Sequence, residues 1–360
     1  MAVEPHSQSA SEDITPVELA LAARNHGFPL ESLRDDITPL GLHYLLIHFD
    51  IPVVDAEMWR LSIGGEVEKP LSLSLEDLQR KPRVSLACTL ECAGNGRARL
   101  TPRPLSQPWL DEAIGNAEWT GTPLAPLLEE AGVEDSAVEV LFTGLDRGIQ
   151  GEIEHAYERS LPVAEAKRPE MLLAYEVNGQ PLPPQHGYPL RLIVPGWYGM
   201  THVKWLERIT LIREPFTGYQ QADQYWLKRS EDDAGTPVTR ILPRSLLVPP
   251  GIPDFPDRRR FLEPGPCLLE GRAWSGWAPI TRVEASVDGG ETWEEAELDE
   301  PVGDYGWRRW SYRWDDATRG EHVLCSRATD GAGNFQPDEP EWNVGGYVNN
   351  AVQRVAVTVR

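Results

Sequence analysis

The sequence predicts an α+β protein. A mixed α/β domain over residues 1–235 is followed, over residues 236–360, by a proline-rich linker and a smaller β domain. The 360 residues exceed what one compact core usually organises, so two domains are expected. Helix-type and strand-type patterns mix before residue 236. From Cys267 onward, short runs of period two alternate with glycine-containing turns, which is typical of a β-sandwich of immunoglobulin-like size.

Composition and charge exclude several classes of function. With 41% hydrophobic and 25% charged residues the chain is ordinary for a globular protein, and its net charge of −22 argues against binding to nucleic acid or an anionic membrane. Any anion site must therefore be a local basic pocket. The four cysteines form neither a zinc pattern nor a disulfide framework.

The chain carries no evident targeting segment. No apolar run approaches the ~20 residues that a membrane-spanning helix needs. Residues 1–16 are polar and acidic, without the basic and apolar regions of a signal peptide, and are expected to form a flexible tail. The expected location is the cytoplasm.

The first elements combine short helices, loops and strands. Residues 16–20 begin a short helix or extended lead-in, and a glycine and a proline shortly afterwards place residues 24–26 on irregular backbone. Residues 43–52 are typical of a strand, whose histidines we interpret as structural or surface groups. Residues 59–67 predict a strand and a turn. Ser74 and Asp77 have the spacing of a capping box at the start of a short helix.

The most informative stretch is residues 84–100, which predicts a strand followed by a tight turn that carries Cys92. Gly94 and Gly96 allow the backbone to pass close to a bulky group. Arg97 and Arg99 place positive charge beside the thiol, which favours the thiolate, the form that binds metals or attacks electrophiles. Cys92 is therefore a candidate soft-metal ligand or nucleophile, and the alternative is an ordinary buried cysteine. For Cys88, among apolar neighbours, we favour the buried interpretation.

The middle of the chain supplies a helix, a strand and a turn. Thr122 and Pro123 are typical of a helix start, and Gly132 ends the apolar stripe that follows. Residues 138–142 predict a strand that leads to Asp146. Residues 157–164 and 171–177 are apolar elements, and Asn178 with Gly179 is a strong turn signal after the second.

A second informative stretch places four basic groups around a strand and a glycine-rich loop. They are His186, Arg191, His202 and Lys204. Point charges with exposed backbone N–H groups are what a phosphate-bearing cofactor needs. A single cation on a strand is more often a solvated face, so the cluster rather than any one residue carries this interpretation.

The last third begins with a segment rich in proline. Residues 236–265 include three consecutive arginines and are interpreted as an ordered linker along the surface. The strands of the sandwich are expected at 273–275, 283–287, 307–314, 323–329 and 352–359, with a hairpin turn at 288–290.

Several strings together resemble the sulfite oxidase family of molybdopterin-dependent oxidoreductases. They are CTLECAGNGR at 88–97, RNHG at 24–27, HGYPLR at 186–191, GMTHVKW at 199–205, WSGWAPITRVEASVDGGETW at 274–293 and WNVGGYVNNAVQRV at 342–355. The resemblance covers nearly the whole chain. It implies a sulfite oxidase-type molybdopterin domain followed by an immunoglobulin-like dimerisation domain, and hence a homodimer.

The resemblance also implies roles for individual residues. Cys92 would be the protein ligand to molybdenum, whose other ligands come from molybdopterin. Arg24 and Arg97 would hold the oxygens of the substrate anion, with Tyr225 beside the metal, although the spacing before Tyr225 is one residue longer than in the family. The residues implied at the pterin and its phosphate are Asn25, His26, Asp146, His186, Arg191, His202 and Lys204, and Trp109 matches a tryptophan near the substrate channel.

The implied reaction is oxidation of sulfite to sulfate by oxygen-atom transfer. No haem-attachment or nucleotide-binding motif is present, so a separate electron acceptor is expected. Two cationic residues of the family's sulfite enzymes are missing, since Ser106 and Gln107 stand where a lysine is expected and Trp277-Ala278-Pro279 where an arginine is expected. Another small oxo-acid or an S- or N-oxide is therefore an alternative substrate. A non-catalytic pterin- or anion-binding homodimer and a cysteine hydrolase are rival interpretations.

Overall fold

The computed structural model describes residues 14–360. Residues 1–13, which belong to the predicted tail and to the start of the predicted first domain, lie outside the described residues. The α-helices are α1 Pro16–Arg24, α2 Leu75–Gln79, α3 Ala125–Ala131, α4 Val163–Ala166 and α5 Tyr219–Ala222. Single 3₁₀ turns occur at Leu30–Arg34, Leu40–Leu42, Arg97–Arg99, Pro184–His186 and Gly199–Thr201.

Strands make up most of the regular structure. In the first two thirds they are β1 Leu61–Gly65, β2 Leu71–Leu73, β3 Val84–Glu91, β4 Ile114–Pro123, β5 Glu139–Gln150, β6 Ile153–Pro162, β7 Leu172–Val177, β8 Gln180–Pro181, β9 Arg191–Ile193, β10 Leu206–Ile212, β11 Trp226–Leu227 and β12 Thr236–Pro237. The remaining strands are β13 Arg244–Leu247, β14 Ile252–Pro253, β15 Arg260–Leu262, β16 Gly265–Trp274, β17 Ile280–Ser286, β18 Glu294–Glu295, β19 Glu297–Pro301, β20 Arg308–Ala317, β21 Gly320–Asp330 and β22 Gln353–Val359.

Two sheets, built from β1 to β10, form the part of the molecule before the sandwich, which we call the first half. One has the strand order β2-β1-β10-β5-β6, and the other has β3-β4-β7-β8 with β9 also paired to β7. The antiparallel β3–β4 ladder runs without a break from Val84 opposite Gly121 to Glu91 opposite Ile114. Because this ladder ends at Glu91, the next residue, Cys92, leaves the sheet at a fixed position.

The predicted β-sandwich is confirmed in the last third. Its two sheets have the orders β13-β16-β20-β19 and β14-β15-β22-β21-β17-β18. Their inner faces share a core that includes Leu269, Trp310, Leu324 and Val357. This alternation of buried and exposed side chains is the pattern from which the sandwich was predicted.

Residues 236–265 do not form the surface linker that we expected. All four residues of β13 are buried, and β13 pairs with β16 from Arg244 opposite Trp274 to Leu247 opposite Gly271. The prolines flank this strand rather than interrupt it, so the proline-rich composition hid a strand of the sandwich. The boundary between residues 235 and 236 stays a prediction.

Other local predictions have mixed outcomes. The capping box of Ser74 and Asp77 and the end of α3 at Gly132, with φ +69°, are confirmed. The predicted start of α3 is wrong, because Thr122 and Pro123 still belong to β4. Residues 43–52 are not a strand and make one isolated bridge, between Leu45 and His26.

The two halves share a core beside the Cys92 turn. Trp274 and Trp307 of the sandwich pack in one cluster with Phe28, Ala93 and Tyr198 of the first half. The sandwich therefore forms one side of the region in which the sequence places the site.

Candidate active site

Cys92 is held in a closely defined turn. Its backbone N–H donates to the carbonyl of Ala113 at 2.9 Å, and its own carbonyl accepts from Asn95 N–H at 2.9 Å. The Asn95 side chain donates to Glu91 Oε1 at 3.0 Å and accepts from Ala113 N–H at 3.1 Å. A Cβ on Gly94 would lie 2.6 Å from the Arg97 guanidinium carbon, so a larger residue there would displace that guanidinium.

Two adjoining compartments meet at Cys92. The inner compartment has a volume of about 60 Å³ and the outer one, with its open mouth, about 320 Å³. Four residues line both: Leu46, His48, Cys92 and Tyr225. A group bound to the thiol can therefore fill the inner compartment and still meet a molecule that enters through the outer one.

The inner compartment is lined by basic groups. Of the predicted cluster, His186, Arg191, His202 and Lys204 all lie on its wall, and Asp146 of β5 faces them. Arg191 donates to the carbonyls of His186 at 3.1 Å and His202 at 3.3 Å. Lys204 Nζ donates to the carbonyl of Leu46 at 2.8 Å. These backbone bonds fix the cations while leaving them without a bonded carboxylate among the described residues.

Burial controls the protonation of this cluster. Burial and the charge of Arg191 lower the pKa of Lys204 to about 7, and burial lowers the pKa of Arg191 itself to about 10. Burial lowers the pKa of His186 to about 2, with the neighbouring cations acting in the same direction. Burial raises the pKa of Asp146 to about 6. A bound anion would relieve the cost of burying these positive charges.

His202 differs from its predicted role. Its Nδ1 accepts from Val194 N–H at 3.1 Å, which makes Nε2 the donor to the carbonyl of Trp197 at 3.0 Å. Both ring nitrogens are engaged by backbone, so His202 offers no free donor to the compartment. It instead positions the chain around Arg191.

The surroundings of the Cys92 thiol also differ from expectation. Burial raises its pKa, and the opposing charge of Arg97 does not overcome that effect. Arg99 is turned away and donates through Nε to Asp111 Oδ2 at 3.0 Å. The thiolate that we expected from two neighbouring arginines therefore requires a bound metal cation to displace the proton.

Residues 24, 25 and 26 lie in three different environments. Arg24 is the last residue of α1 rather than part of a loop, and it lines the outer compartment. Asn25 is buried and fully bonded: it donates to Gln107 Oε1 and the carbonyl of Leu21, both at 3.0 Å, and accepts from Ile47 N–H at 2.7 Å. Its amide is therefore engaged by protein groups. Asn25 also lines the outer compartment, and its predicted pterin contact stays a prediction.

His26 lies outside both compartments. Its exposed ring is 3.3 Å from the carbonyl of Gly27, while its backbone bridges to Leu45. Its charge is close enough to His43 and His186 to lower the pKa of both, so the predicted pterin contact of His26 stays a prediction. His43 and His48, which we interpreted as structural or surface groups, both line the inner compartment.

Tyr225 lies with Cys92 on the wall shared by both compartments, and its predicted place beside the metal stays a prediction. It has φ +63°, and its hydroxyl is 2.9 Å from His48 Nε2. Its ring centroid is 5.1 Å from that of Tyr347 and 5.4 Å from the guanidinium carbon of Arg159. Arg97 in turn lies 5.2 Å from the Tyr347 ring. Two neighbouring tyrosine rings thus lie between two arginines beside Cys92.

Sequence reasoning missed several residues of this site. They are His43, Tyr44, His48, Tyr157, Arg159 and Tyr347. The pair of histidines in residues 43–48 was a usable signal, since imidazoles within an apolar run need partners. Tyr347 gave no local signal, because it approaches Cys92 only through the packing of the two halves.

The residues fit an anionic cofactor that brings a metal. Around the inner compartment His43 Nε2, Asp146 Oδ1 and Arg191 Nε are buried without a hydrogen-bond partner among residues 14–360. In the same residues no group of three or more His, Cys, Asp or Glu side chains is arranged to hold a metal ion. A metal at Cys92 must therefore take its other ligands from a bound cofactor, which the unsatisfied polar atoms would hold.

The matched families define the class as a molybdopterin oxidoreductase with a dimerisation domain. Residues 48–220 match the oxidoreductase molybdopterin binding domain, and residues 259–360 match the Mo-co oxidoreductase dimerisation domain. The sulfite oxidase of Arabidopsis thaliana is 33% identical over 89% of this chain and 87% of its own length. The chain belongs to the sulfite oxidase family, and its cofactor is molybdenum bound to molybdopterin.

Two further similarities extend over most of the chain. The mitochondrial sulfite oxidase of Mus musculus is 36% identical over 90% of this chain, which spans only 62% of that protein. The crystal structure of the sulfane dehydrogenase SoxCD from Paracoccus pantotrophus aligns with a TM-score of 0.81 at 28% identity, covering 98% of this chain and 90% of that one. The similarity therefore includes both halves of the molecule.

Proposed function

We propose that this protein oxidises sulfite to sulfate by oxygen-atom transfer and passes the electrons to a separate acceptor. The observation that carries the proposal is the position of Cys92 at the junction of a basic inner compartment and an open outer one. The similarity to sulfite oxidases supports sulfite as the substrate. When bound, the cofactor supplies the two-electron redox chemistry and the transferable oxygen.

Within this proposal the inner compartment binds the cofactor. Cys92 is the metal ligand. Arg191, Lys204 and His186 hold the anionic end, and Asp146 faces the pterin. This assignment is supported by the buried Arg191 Nε and Asp146 Oδ1 atoms, which lack a hydrogen-bond partner, and by the lowered pKa of Lys204. We keep residues 1–235 as the cofactor-binding domain and residues 236–360 as the dimerisation domain of this proposal.

The outer compartment would bind the substrate. Arg24 at its mouth and Arg97 near Cys92 provide the positive charge for an anion. Tyr225 would donate a hydrogen bond from its hydroxyl to the substrate, and the neutral imidazole of His48, with Nε2 at 2.9 Å, would orient that hydroxyl.

The first test is molybdenum analysis of the purified protein together with sulfite-dependent reduction of ferricyanide. We expect about one molybdenum per chain, as a single thiolate ligand implies, and reduction that requires sulfite. If the protein contains molybdenum but does not oxidise sulfite, the proposed substrate is wrong and the proposed cofactor stands. Protein without molybdenum from a pterin-competent host would overturn the whole proposal.

The missing cations favour a second candidate, a non-catalytic homodimer that binds pterin or an anion. Gln107, at the position of an expected lysine, is buried and bonded to Asn25, and Trp277 is half exposed on the sandwich. A binder need not cycle its metal. Reduction by sulfite with appearance of a Mo(V) electron paramagnetic resonance signal would therefore exclude this candidate.

The location and the partners remain part of the proposal. All four cysteines are free thiols, which supports the cytoplasm. None of the helices in residues 14–360 combines the length and apolar character required to cross a membrane. Cell fractionation tests the location, and light scattering tests the homodimer.

A further inference from the structure

His43 is a buried polar residue that has no part in the proposed reaction. It lies on the wall of the inner compartment and is 3% exposed. Its ring centroid is 5.2 Å from that of Tyr44, 5.7 Å from that of His186 and 6.0 Å from that of Trp119. A Cβ on Gly115 would lie 2.4 Å from His43 Cδ2, so this glycine of β4 leaves the space that the imidazole occupies. Three rings and a strand therefore hold the imidazole in place.

The hydrogen bond of His43 decides which of its ring nitrogens carries the proton. Nδ1 lies 3.1 Å from the carbonyl oxygen of Tyr44, and a carbonyl oxygen only accepts, so Nδ1 is the donor. Burial lowers the pKa of His43 to about 4, with the charges of Arg191 and His26 acting in the same direction, so the imidazole is neutral at neutral pH. In this tautomer Nε2 carries a lone pair and is an acceptor.

The acceptor at His43 Nε2 has no partner within the protein. The atom is buried, and it makes no hydrogen bond with any group in residues 14–360. Asp146 Oδ1, on the wall of the same compartment, is a second buried acceptor in this condition. Buried polar atoms without partners destabilise a protein, so native structures seldom keep them. The two atoms therefore indicate donors that arrive with a bound molecule.

The inner compartment thus offers two kinds of polar group to its cofactor. Arg191 and Lys204 are cationic donors, which suit the phosphate of molybdopterin. His43 Nε2 and Asp146 Oδ1 are acceptors, and an acceptor repels the oxygens of a phosphate. The pterin of molybdopterin carries amide and amine N–H groups, which are donors. The acceptors therefore match the pterin, and the cations match the phosphate.

We propose that His43 is a cofactor-binding residue whose Nε2 accepts a hydrogen bond from an N–H group of the pterin. This inference rests on the molybdopterin cofactor of the proposed function and is independent of sulfite as the substrate. Because the imidazole is neutral, its contact adds no charge to the compartment, unlike the contact of Asp146.

The test measures release of the pterin rather than turnover. Protein from a pterin-competent host is passed through a desalting column at intervals, and the pterin that stays bound is measured by its fluorescence after oxidation. We expect His43→Phe to release pterin about tenfold faster than the wild type, because a buried N–H group of the pterin loses its acceptor. His43→Gln can place an amide oxygen near the position of Nε2 and should release pterin at close to the wild-type rate.

The matched control is His322→Phe, the same substitution in β21 of the sandwich and outside both compartments. Release from His43→Phe at the wild-type rate would overturn the inference. Equally fast release from His43→Phe and His43→Gln would overturn it too, because the shape of the ring rather than the acceptor would then matter. Both results leave the cofactor standing. Wild-type protein without pterin would instead overturn the proposed function.

Thermal unfolding separates cofactor binding by His43 from its contribution to folding. Binding to the folded state raises Tm, so cofactor-loaded protein should unfold above cofactor-free protein from a pterin-deficient host. We expect this rise to be smaller in His43→Phe than in the wild type and to be kept in His43→Gln. A purely structural role would shift both forms alike and leave the rise unchanged, which would contradict the assignment. If His43→Phe does not fold, His43→Leu removes the acceptor in the same comparison.

Discussion

In the proposed function the buried thiol of Cys92 links the cofactor to the protein. The backbone bonds to Ala113 and Asn95 fix Cys92 whether or not a metal is present. Burial keeps the thiol protonated on its own, so thiolate formation depends on the metal. The backbone therefore fixes where the Cys92 side chain lies, and the metal determines whether its sulfur is a thiolate. A substitution at Cys92 can separate these two effects.

Replacing Cys92 by serine should abolish turnover without loss of the fold. The hydroxyl is a poor ligand for a soft metal centre, so we expect a loss beyond the roughly 10–100-fold that removal of an outer partner of a metal ligand costs. Turnover and thermal unfolding are measured together, with Cys267→Ser, a partly exposed cysteine of the sandwich, as the control. Appreciable activity in Cys92→Ser would contradict the ligand assignment.

The buried histidines predict how stability depends on pH. Burial lowers the pKa of His43 to about 4, of His48 and His202 to about 3, and of His186 to about 2. Below the ordinary pKa of 6.5 the unfolded chain binds more protons than the folded one, so stability falls as pH falls through this window. Each histidine contributes up to about 1.4 kcal/mol per pH unit there.

His186→Leu removes one of these titrating groups. In cofactor-free protein we expect the free energy of unfolding to decline less steeply between pH 6.5 and 5 than in the wild type. Urea denaturation at several pH values measures the slopes. Parallel slopes would show that the imidazole is not held neutral in the folded state.

At the scale of elements, β13 connects the sandwich to the Cys92 turn through buried charge. Arg244 donates to Glu91 Oε1 at 2.8 Å, to Asp111 Oδ1 at 2.7 Å and to the carbonyl of Asn349 at 2.9 Å. Trp274 of β16 donates to Glu91 Oε2 at 2.8 Å. Both carboxylates thus accept hydrogen bonds from side chains of the sandwich.

Arg244→Ala should cost about 3–5 kcal/mol of stability, because it leaves the buried Glu91 carboxylate without its cation and leaves Asp111 with Arg99 alone. The triple variant with Arg244→Met, Glu91→Gln and Asp111→Asn should regain most of that loss. Denaturant unfolding measures both variants. Arg229→Ala, which removes an exposed pair with Glu341, is the control with little expected effect. A similar small loss in Arg244→Ala would contradict the coupling between the halves.

Local signals account for the elements that the sequence predicted. The Cys92 turn, the capping box of α2 and the strands of the sandwich depend on residue types within one turn or ladder. The structure of residues 43–52 does not depend on local residue types alone. Ile47 N–H donates to Asn25 Oδ1 at 2.7 Å, and the Leu46 carbonyl accepts from Lys204 Nζ. Side chains from elsewhere satisfy this backbone, so its strand-like composition does not decide its structure.

Local signals also distinguish the site residues that the sequence could predict from those that it could not. Cys92, Arg97, Asp146, Arg191 and Lys204 belong to strings whose neighbours position them. Tyr347 reaches the outer compartment only because a sandwich loop packs on the Cys92 turn, and no local pattern encodes that contact. Arg24, Asn25 and His26 are consecutive, yet they separate into a compartment wall, a buried clamp and an exposed ring.

At the scale of the whole molecule, the site depends on both halves. The first half supplies the thiol and the basic compartment. The sandwich supplies Tyr347, Arg244 and part of the shared core around Trp274 and Trp307. The matched dimerisation domain, residues 259–360, thus also forms one side of the candidate site.

The proposed homodimer must form between two chains that each carry a net charge of −22. Like charges repel, and salt shortens the range of that repulsion from about 30 Å at 0.01 M to about 8 Å at 0.15 M. We therefore expect dissociation of the dimer to decrease as salt increases over this range. Light scattering across a dilution series measures it, with a mass near twice the 40.3 kDa of the chain expected at 0.15 M salt. Dissociation that increases with salt would show that attractive charge pairs across the interface outweigh the net repulsion, and a single-chain mass at every salt concentration would contradict the dimer.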